Sequence, residues 1–192
     1  MNQLTKSRMT LVGLILIFFL PIFASWYLVF FSDYKNEINS IENGDLIEPV
    51  ISLGAIEARP LENNQPFIVA ERWTLVFFVN DECDAVCQKK LYQVRQIRLA
   101  LGKNVDKIDR LLIAKNPIDW GEFAERYSGQ KVLDSTMNDF TRIYDSFSTI
   151  QGFKENSFYL IDPYGFIMMR YSDSVEPKGV IKDIERLIKN AG

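Results

Sequence analysis

Residues 73–87 read WTLVFFVNDECDAVC. The first seven form an unbroken apolar run of β-branched and aromatic residues, which predicts a strand buried on both faces of a sheet. The polar residues 80–82 end that strand, because Asn, Asp and Glu favour turns and helix starts. A long helix is predicted over 84–101, where apolar residues recur every three or four positions. Its basic residues, Lys89 and Lys90 among them, are expected on the remaining faces of the helix.

The rest of the chain completes one α/β domain. Strands are predicted at 110–114, 131–133, 157–161 and 166–171, and helices at 118–127, 138–147 and 179–190. The turn Asp162-Pro163-Tyr164-Gly165 joins the last two strands, since Pro presets φ and Gly permits a positive φ. A parallel βαβ unit followed by an antiparallel ββα unit is the layout of a thioredoxin-like fold. We therefore predict a thioredoxin-like α/β domain over residues 48–192.

The composition excludes several classes of protein. The 192 residues carry 22 Lys and Arg against 25 Asp and Glu, so the basic surplus of a nucleic-acid binder is missing and no nucleic acid is expected as a partner. The chain contains no His. This excludes Ser-His-Asp and Cys-His catalytic systems and every His-ligated metal site. Cys83 and Cys87 are the only thiols, so redox or soft-metal chemistry must use them.

The N-terminal region predicts a membrane anchor. Residues 9–31 are uncharged and predominantly apolar, and a helix of that length spans roughly 34 Å, enough for a hydrocarbon core of about 30 Å. A cleaved signal peptide is the alternative. Its apolar region is typically shorter and ends at small residues, whereas Ala24-Ser25-Trp26 is a poor cleavage site. We therefore favour an uncleaved transmembrane anchor.

The charges beside this anchor predict its orientation. Lys6 and Arg8 precede it, and no basic excess follows it, so the positive-inside rule places residues 1–8 in the cytoplasm. The polar residues 32–47 are interpreted as a juxtamembrane stalk. We expect a single-pass protein of the bacterial inner membrane, with its C-terminal domain in the periplasm.

The cysteine pair lies at the predicted junction of strand and helix. Unpaired N–H groups and the helix dipole favour negative charge at a helix start, which stabilises a thiolate. The acidic residues Asp81, Glu82 and Asp84 oppose this effect by repulsion. We expect the thiol pKa to be lowered less than in the most acidic Cys-X-X-Cys proteins.

The spacing of Cys83 and Cys87 allows three uses. Residues four apart lie on one side of a helical turn, so a disulfide can close and the two thiolates can alternatively hold Cu(I). The alternative without chemistry is a structural disulfide, or two buried cysteines that happen to be neighbours. A five-residue loop gains little stability from a crosslink, which favours chemistry. In that case Cys83, nearer the helix start, would attack, and Cys87 would resolve the mixed disulfide.

These features together resemble the Sco (SenC-like) family of membrane-anchored copper-site assembly proteins. The matching features are the anchor, the strand WTLVFFV running into CDAVC, and the hairpin FYLIDPYGFI at 158–167. The resemblance implies a thioredoxin fold and a role in delivering copper to, or reducing the cysteines of, the copper centre of cytochrome c oxidase. By that resemblance Cys83 and Cys87 match the family's copper-binding and redox cysteines.

The chain also departs from the Sco pattern. The family's third copper ligand is a His, and Lys154 stands about where it would fall; a protonated Lys cannot bind a metal. Met168 or Met169 could supply a thioether to Cu(I), although core and surface positions of a strand are the preferred interpretation. The Pro that precedes the hairpin strand in thioredoxins is replaced by Asn156-Ser157, which favours a dedicated protein partner over general disulfide reduction.

We therefore predict a thiol-disulfide or copper-handling factor that acts with a protein partner in cytochrome c oxidase biogenesis. Whether it is an enzyme, a thiol-disulfide oxidoreductase, is left open. The alternative is a non-catalytic scaffold in which the disulfide is a structural crosslink. A peroxidase is disfavoured because no Thr stands just before Cys83.

Overall fold

The computed structural model describes residues 3–31, 43–61, 67–69, 71–80, 82–121 and 123–190. Contacts divide the chain into two compact units, Met1–Ile41 and Glu42–Gly192.

The described part of the first unit is the helix α1 (Gln3–Phe31), which includes the predicted anchor segment 9–31. Large apolar side chains on it are exposed, such as Ile17 at 72% and Phe18 at 71%. Over the residues that the structure describes, no helix satisfies both the length and the hydropathy that a membrane crossing needs. The transmembrane anchor stays a prediction, and residues 32–42 of the predicted stalk lie outside the described ranges.

The second unit is built on an eight-stranded sheet. Its strands are β1 (Asp45–Ser52), β2 (Ile56–Pro60), β3 (Phe67–Val69), β4 (Trp73–Val79), β5 (Ile108–Ala114), β6 (Gln130–Asp134), β7 (Phe158–Ile161) and β8 (Phe166–Tyr171). They lie in the order β1-β8-β7-β4-β5-β6-β2-β3. The strands β4, β5 and β6 are parallel, whereas β7 runs antiparallel to both β4 and β8. The predicted α/β thioredoxin-like layout is confirmed, although β1 begins at Asp45, three residues before the predicted domain start.

Four α-helices and one 3₁₀ helix are described in this unit. They are α2 (Ala85–Ala100), the 3₁₀ helix Gly102–Lys107, α3 (Phe123–Arg126), α4 (Phe140–Ser148) and α5 (Pro177–Asn190). Apolar residues of α2 and α5 share one buried cluster with one face of the sheet, and α4 packs in a second cluster on the other face.

The central strand β4 shows why the predicted burial on both faces holds. Leu75 and Phe77 point into the cluster beneath α2, while Val76 and Phe78 point into the cluster beneath α4. All seven residues of the strand are buried. The cysteines therefore follow the carboxyl end of a central strand that is buried on both faces.

The helix predicted at 118–127 is wrong in length, since among the described residues of this segment only Phe123–Arg126 are helical. The preceding residues form a turn in which the Gly121 N–H donates to the Asp119 carboxylate at 3.1 Å. Gly121 has a φ of +33°, a value that an α-helix does not accommodate. This local turn overrides the apolar periodicity of the segment.

The first described residues of the second unit are bound to its last helix. Asp183 on α5 is buried, and its carboxylate accepts from the Asn43 backbone N–H at 2.7 Å, the Asn43 side-chain amide at 2.9 Å and the Gly44 N–H at 3.2 Å. We call this contact the Asp183 clasp. It satisfies a buried carboxylate and fixes the lead-in to β1.

Candidate functional site

The cysteine pair lies between the end of β4 and the first turn of α2. In the structure Cys83 and Cys87 form a disulfide, with their Cα atoms 5.0 Å apart. Cys87 is buried in the cluster beneath α2, whereas Cys83 is only partly buried at its margin. The more accessible sulfur is therefore the one predicted to attack.

Asp84 organises the first turn of α2. It is the N-cap residue, and its carboxylate accepts from the Val86 N–H at 3.0 Å and the Cys87 N–H at 2.9 Å. The cap satisfies two N–H groups that a helix start leaves unpaired. Of the other predicted acidic neighbours, Glu82 is exposed and Asp81 lies outside the described residues.

A groove opens beside the disulfide. Its lining comprises the end of β4, the start of α2 and the loop before β7: Phe78, Val79, Asn80, Glu82, Asp84, Val86, Cys87, Lys90, Glu155 and Asn156. Val86, one of these lining residues, is exposed. We call this groove the Cys87 groove. Of the two cysteines, Cys87 belongs to its lining.

Glu155 is the best-anchored acid of this groove. Its carboxylate pairs with Lys115 Nζ at 2.6 Å and accepts a hydrogen bond from the Tyr144 hydroxyl. Burial raises the pKa of Glu155, but hydrogen bonds from Lys115, Tyr144 and Asn80 outweigh it and leave the pKa below its ordinary value. Glu155 was not predicted as a site residue, although it stands directly after Lys154, the position to which the resemblance points.

Lys90 was also missed, because it is not on a solvent-facing side of α2. Its side chain is only 7% exposed, and its Nζ donates to the Glu155 carbonyl at 3.3 Å. Desolvation lowers the pKa of the Lys90 ammonium, against the opposing effect of Asp173, Asp84 and Glu155. The prediction failed because the carbonyl that receives Lys90 lies 65 residues further along the chain.

The structure does not bring the other residues of interest to the groove. Lys154 is exposed, and its backbone N–H and carbonyl both bond the Tyr159 hydroxyl. Met169 is buried in the core and accepts from the Tyr171 hydroxyl at 3.4 Å. Met168 packs against the same cluster, since the pairing of β7 with β8 skips it. Met169 is therefore a core residue and Met168 is partly buried beside the core, whereas the preferred interpretation placed them at core and surface positions of the strand.

The donor set for a metal is small. Cys83 and Cys87 supply two sulfurs once the disulfide is reduced, and two thiolates suit Cu(I). Among the described residues, no group of three or more Cys, Asp or Glu side chains is positioned to hold a metal ion. The residues present therefore fit a two-thiolate Cu(I) site, and the described part of the chain offers no third ligand of those types.

A comparison with known families places this chain. The model of the transmembrane-like, thioredoxin-like, C-terminal domain family matches residues 73–191, from the first residue of β4 to beyond α5. The chain belongs to this family. The matched range includes both cysteines, the Cys87 groove and all of the ββα unit, so the site lies wholly within the part that defines this thioredoxin-like family.

Solved structures show the same fold. Yeast Sco1 is 16% identical and has a TM-score of 0.57, covering 74% of this chain and 97% of that one. ScoI from Bradyrhizobium japonicum, solved with copper bound, is 18% identical with a TM-score of 0.54, covering 71% and 98%. The thioredoxin domain of a thiol-disulfide oxidoreductase from Bacteroides vulgatus is 17% identical with a TM-score of 0.50, covering 71% and 94%. No curated protein matches the chain in sequence.

Proposed function

We propose that this member of the thioredoxin-like family is a Sco-like thiol-disulfide oxidoreductase that serves assembly of the cytochrome c oxidase copper centre. The observation that carries the proposal is the Cys83–Cys87 disulfide after the end of β4, in which Cys83 is partly exposed and Cys87 lines a groove. The likeness to Sco structures supports the choice of pathway, and the likeness to an oxidoreductase domain supports the chemistry.

The exchange uses only the two sulfurs of this chain. In the reduced protein the Cys83 thiolate attacks a disulfide of the partner, and one partner sulfur leaves as a thiolate. The Cys87 thiolate then attacks the Cys83 sulfur of the mixed disulfide and releases the second partner thiolate. The partner gains two electrons and, on protonation, two protons, and the Cys83–Cys87 bond forms. A donor dithiol returns the pair to the reduced state by the reverse steps.

Copper is a second candidate cargo of the same pair. When reduced, Cys83 and Cys87 would hold Cu(I) as two thiolate ligands, and the ion would supply the metal for the oxidase centre. The favouring observation is that the two Cα atoms lie 5.0 Å apart on one turn, which keeps both sulfurs on the same side. Cu(I) would therefore bind the reduced pair, which is the state that the donor dithiol restores.

The proposal includes attachment to the bacterial inner membrane, with the cysteine domain in the periplasm. The exposed apolar side chains along α1, with Lys6 and Arg8 in its first turns, support this placement. An oxidising compartment is consistent with a disulfide in the resting protein.

Trapping of the mixed disulfide tests the redox function. We expect Cys87→Ser, expressed in cells that assemble the oxidase, to accumulate a covalent adduct with a protein partner, because the resolving thiol is missing. Cys83→Ser should form none, because the attacking thiol is missing. The adducts are detected by non-reducing electrophoresis and identified by mass spectrometry.

The outcomes separate the alternatives. An adduct with Cys83→Ser but not with Cys87→Ser would reverse the two roles. Full oxidase assembly in the Cys83→Ser, Cys87→Ser double variant, without adducts in either single variant, would contradict the redox function. That result would support the non-catalytic scaffold with a structural disulfide.

A further inference from the structure

Lys90 is a buried charge beside the disulfide. It lies three residues after Cys87 on α2, a spacing that puts the two side chains on one helix face with Cβ atoms about 5–6 Å apart. Both residues line the Cys87 groove. The Lys90 side chain is 7% exposed, so its ammonium has lost most of its contact with water.

The ammonium has few partners in the oxidised protein. It donates to the Glu155 carbonyl at 3.3 Å, which uses one of its three N–H groups. The carboxylates that face it are those of Asp84, Glu155 and Asp173. Among the described residues none of them lies within 4.0 Å of the Lys90 nitrogen, and Glu155 is instead paired with Lys115. A buried cation without a paired anion is costly, and a nearby anion relieves that cost.

Reduction of the disulfide supplies such an anion. When a donor dithiol's thiolate attacks the Cys83 sulfur, the Cys83–Cys87 bond breaks and the Cys87 sulfur leaves with the electron pair. The donor's second thiol, giving up its proton, then displaces Cys83 from the mixed disulfide. The donor becomes a disulfide, two electrons pass to the cysteine pair, Cys83 takes up that proton and Cys87 remains a thiolate. The negative charge appears on Cys87, one turn from Lys90.

Resting on the proposed thiol-disulfide function, we propose that Lys90 is the positioning counter-charge of the Cys87 thiolate in each exchange. The ammonium stabilises Cys87 as the leaving group when the disulfide opens and as the nucleophile when a mixed disulfide is resolved. The positive charge of Lys90 also offsets the repulsion between the Asp84 carboxylate and the Cys87 thiolate in the first turn of α2. The reduced state thereby gains a favourable charge pair that the oxidised state lacks.

The test compares equilibrium constants for reduction of the full chain by dithiothreitol at pH 8.5, where an unperturbed Cys is about half ionised. Lys90→Gln removes the charge but keeps a donor for the Glu155 carbonyl. If the ammonium is worth about one pK unit to the thiolate, the equilibrium constant should fall about fivefold, which corresponds to a potential about 20 mV lower. Lys89→Gln, the same change on the exposed neighbour, should stay within about twofold of the wild type.

Lys90→Arg is the rescue variant, since it keeps the charge; it should return the equilibrium constant towards the wild-type value. An unchanged constant in Lys90→Gln, an equal fall in Lys89→Gln, or a fall that Arg does not reverse would each overturn the proposal. If Lys90→Gln does not fold, as judged by circular dichroism, Lys90→Met is compared in its place. None of these readouts depends on a protein partner, so the proposal and the redox function can fail separately.

Discussion

Glu155 is held from three sides at the residue scale. Lys115 lies on one side at 2.6 Å, Tyr144 donates from α4, and the Asn80 side chain donates from the end of β4. The same residue offers its backbone carbonyl to Lys90. One loop residue thus connects the sheet edge, α4 and α2 around the Cys87 groove.

Replacing Glu155 by Gln tests this connection. The folded-state pKa of Glu155 is lowered, so its stabilising contribution is complete above its unfolded-state pKa of about 4.3 and is lost as pH falls through the lower folded-state value. We expect Glu155→Gln to lower the free energy of unfolding at pH 7 by about 1–2 kcal/mol. The difference from wild type should shrink below about pH 4, as measured by urea denaturation at several pH values.

Asp145→Asn serves as the control for Glu155→Gln. Asp145 is exposed on α4, and it is not one of the residues that hydrogen-bond the Glu155 carboxylate. It should leave the free energy of unfolding nearly unchanged at every pH. A Glu155→Gln difference that stays constant down to pH 3 would show that charge is not the cause.

At the element scale, the start of α2 depends on one carboxylate. Asp84 bonds the N–H groups of Val86 and Cys87, so it fixes the turn that carries the second cysteine. The same carboxylate adds negative charge next to the thiolate. In the reduced protein the cap therefore stabilises the first turn of α2, whereas the negative charge of Asp84 disfavours the Cys87 thiolate.

Substitution of Asp84 separates the cap from the charge. Asp84→Ala should lower the free energy of unfolding by about 1 kcal/mol, because the cap is lost, while Asp84→Ser should retain most of it. Urea denaturation of the oxidised protein measures both. Equal losses in Ala and Ser variants would contradict a capping role.

The elements also show what the sequence could predict. The strand β4 and helix α2 were predicted closely, because the apolar run of the strand and the apolar periodicity of the helix are local signals, although the residue that caps the helix is Asp84 and not one of residues 80–82. The helix at 118–127 was overpredicted, because the Asp119–Gly121 turn competes with its periodicity.

The groove itself could not be predicted in the same way. Lys90, Lys115 and Glu155 meet only because the strand order places the ends of β4 and β5 next to the loop before β7. The resemblance pointed to Lys154, which lies in the same loop as Glu155. The backbone N–H and carbonyl of Lys154 are hydrogen-bonded to the Tyr159 hydroxyl. One residue's difference in a loop changes which side chain faces the site, and no sequence periodicity reports that.

At the scale of the whole molecule, the fold does not rest on the disulfide. Two apolar clusters cover the two faces of the sheet, and the core strands β4 and β5 are buried along their whole length. The disulfide closes a loop of only four residues' separation. Its crosslink therefore adds little to a domain that is already stabilised by burial.

Reduction should accordingly leave the protein folded. We expect excess dithiothreitol to lower the free energy of unfolding by about 2 kcal/mol or less, the value that chain entropy assigns to so short a loop. Unfolding in urea, followed by circular dichroism, measures the change. The Cys83→Ser, Cys87→Ser variant should not respond to the reductant. A reduced protein that is unfolded at 25 °C would support a structural disulfide and argue against a redox cycle.

The Asp183 clasp has a mechanical consequence. It ties Asn43 and Gly44, which lead into the first strand, to the helix that ends the domain. A pull arriving from the N-terminal side is therefore shared between β1, an edge strand, and α5, which is packed into the core. Loss of α5 by truncation would remove this second attachment and leave the edge strand to bear the pull alone.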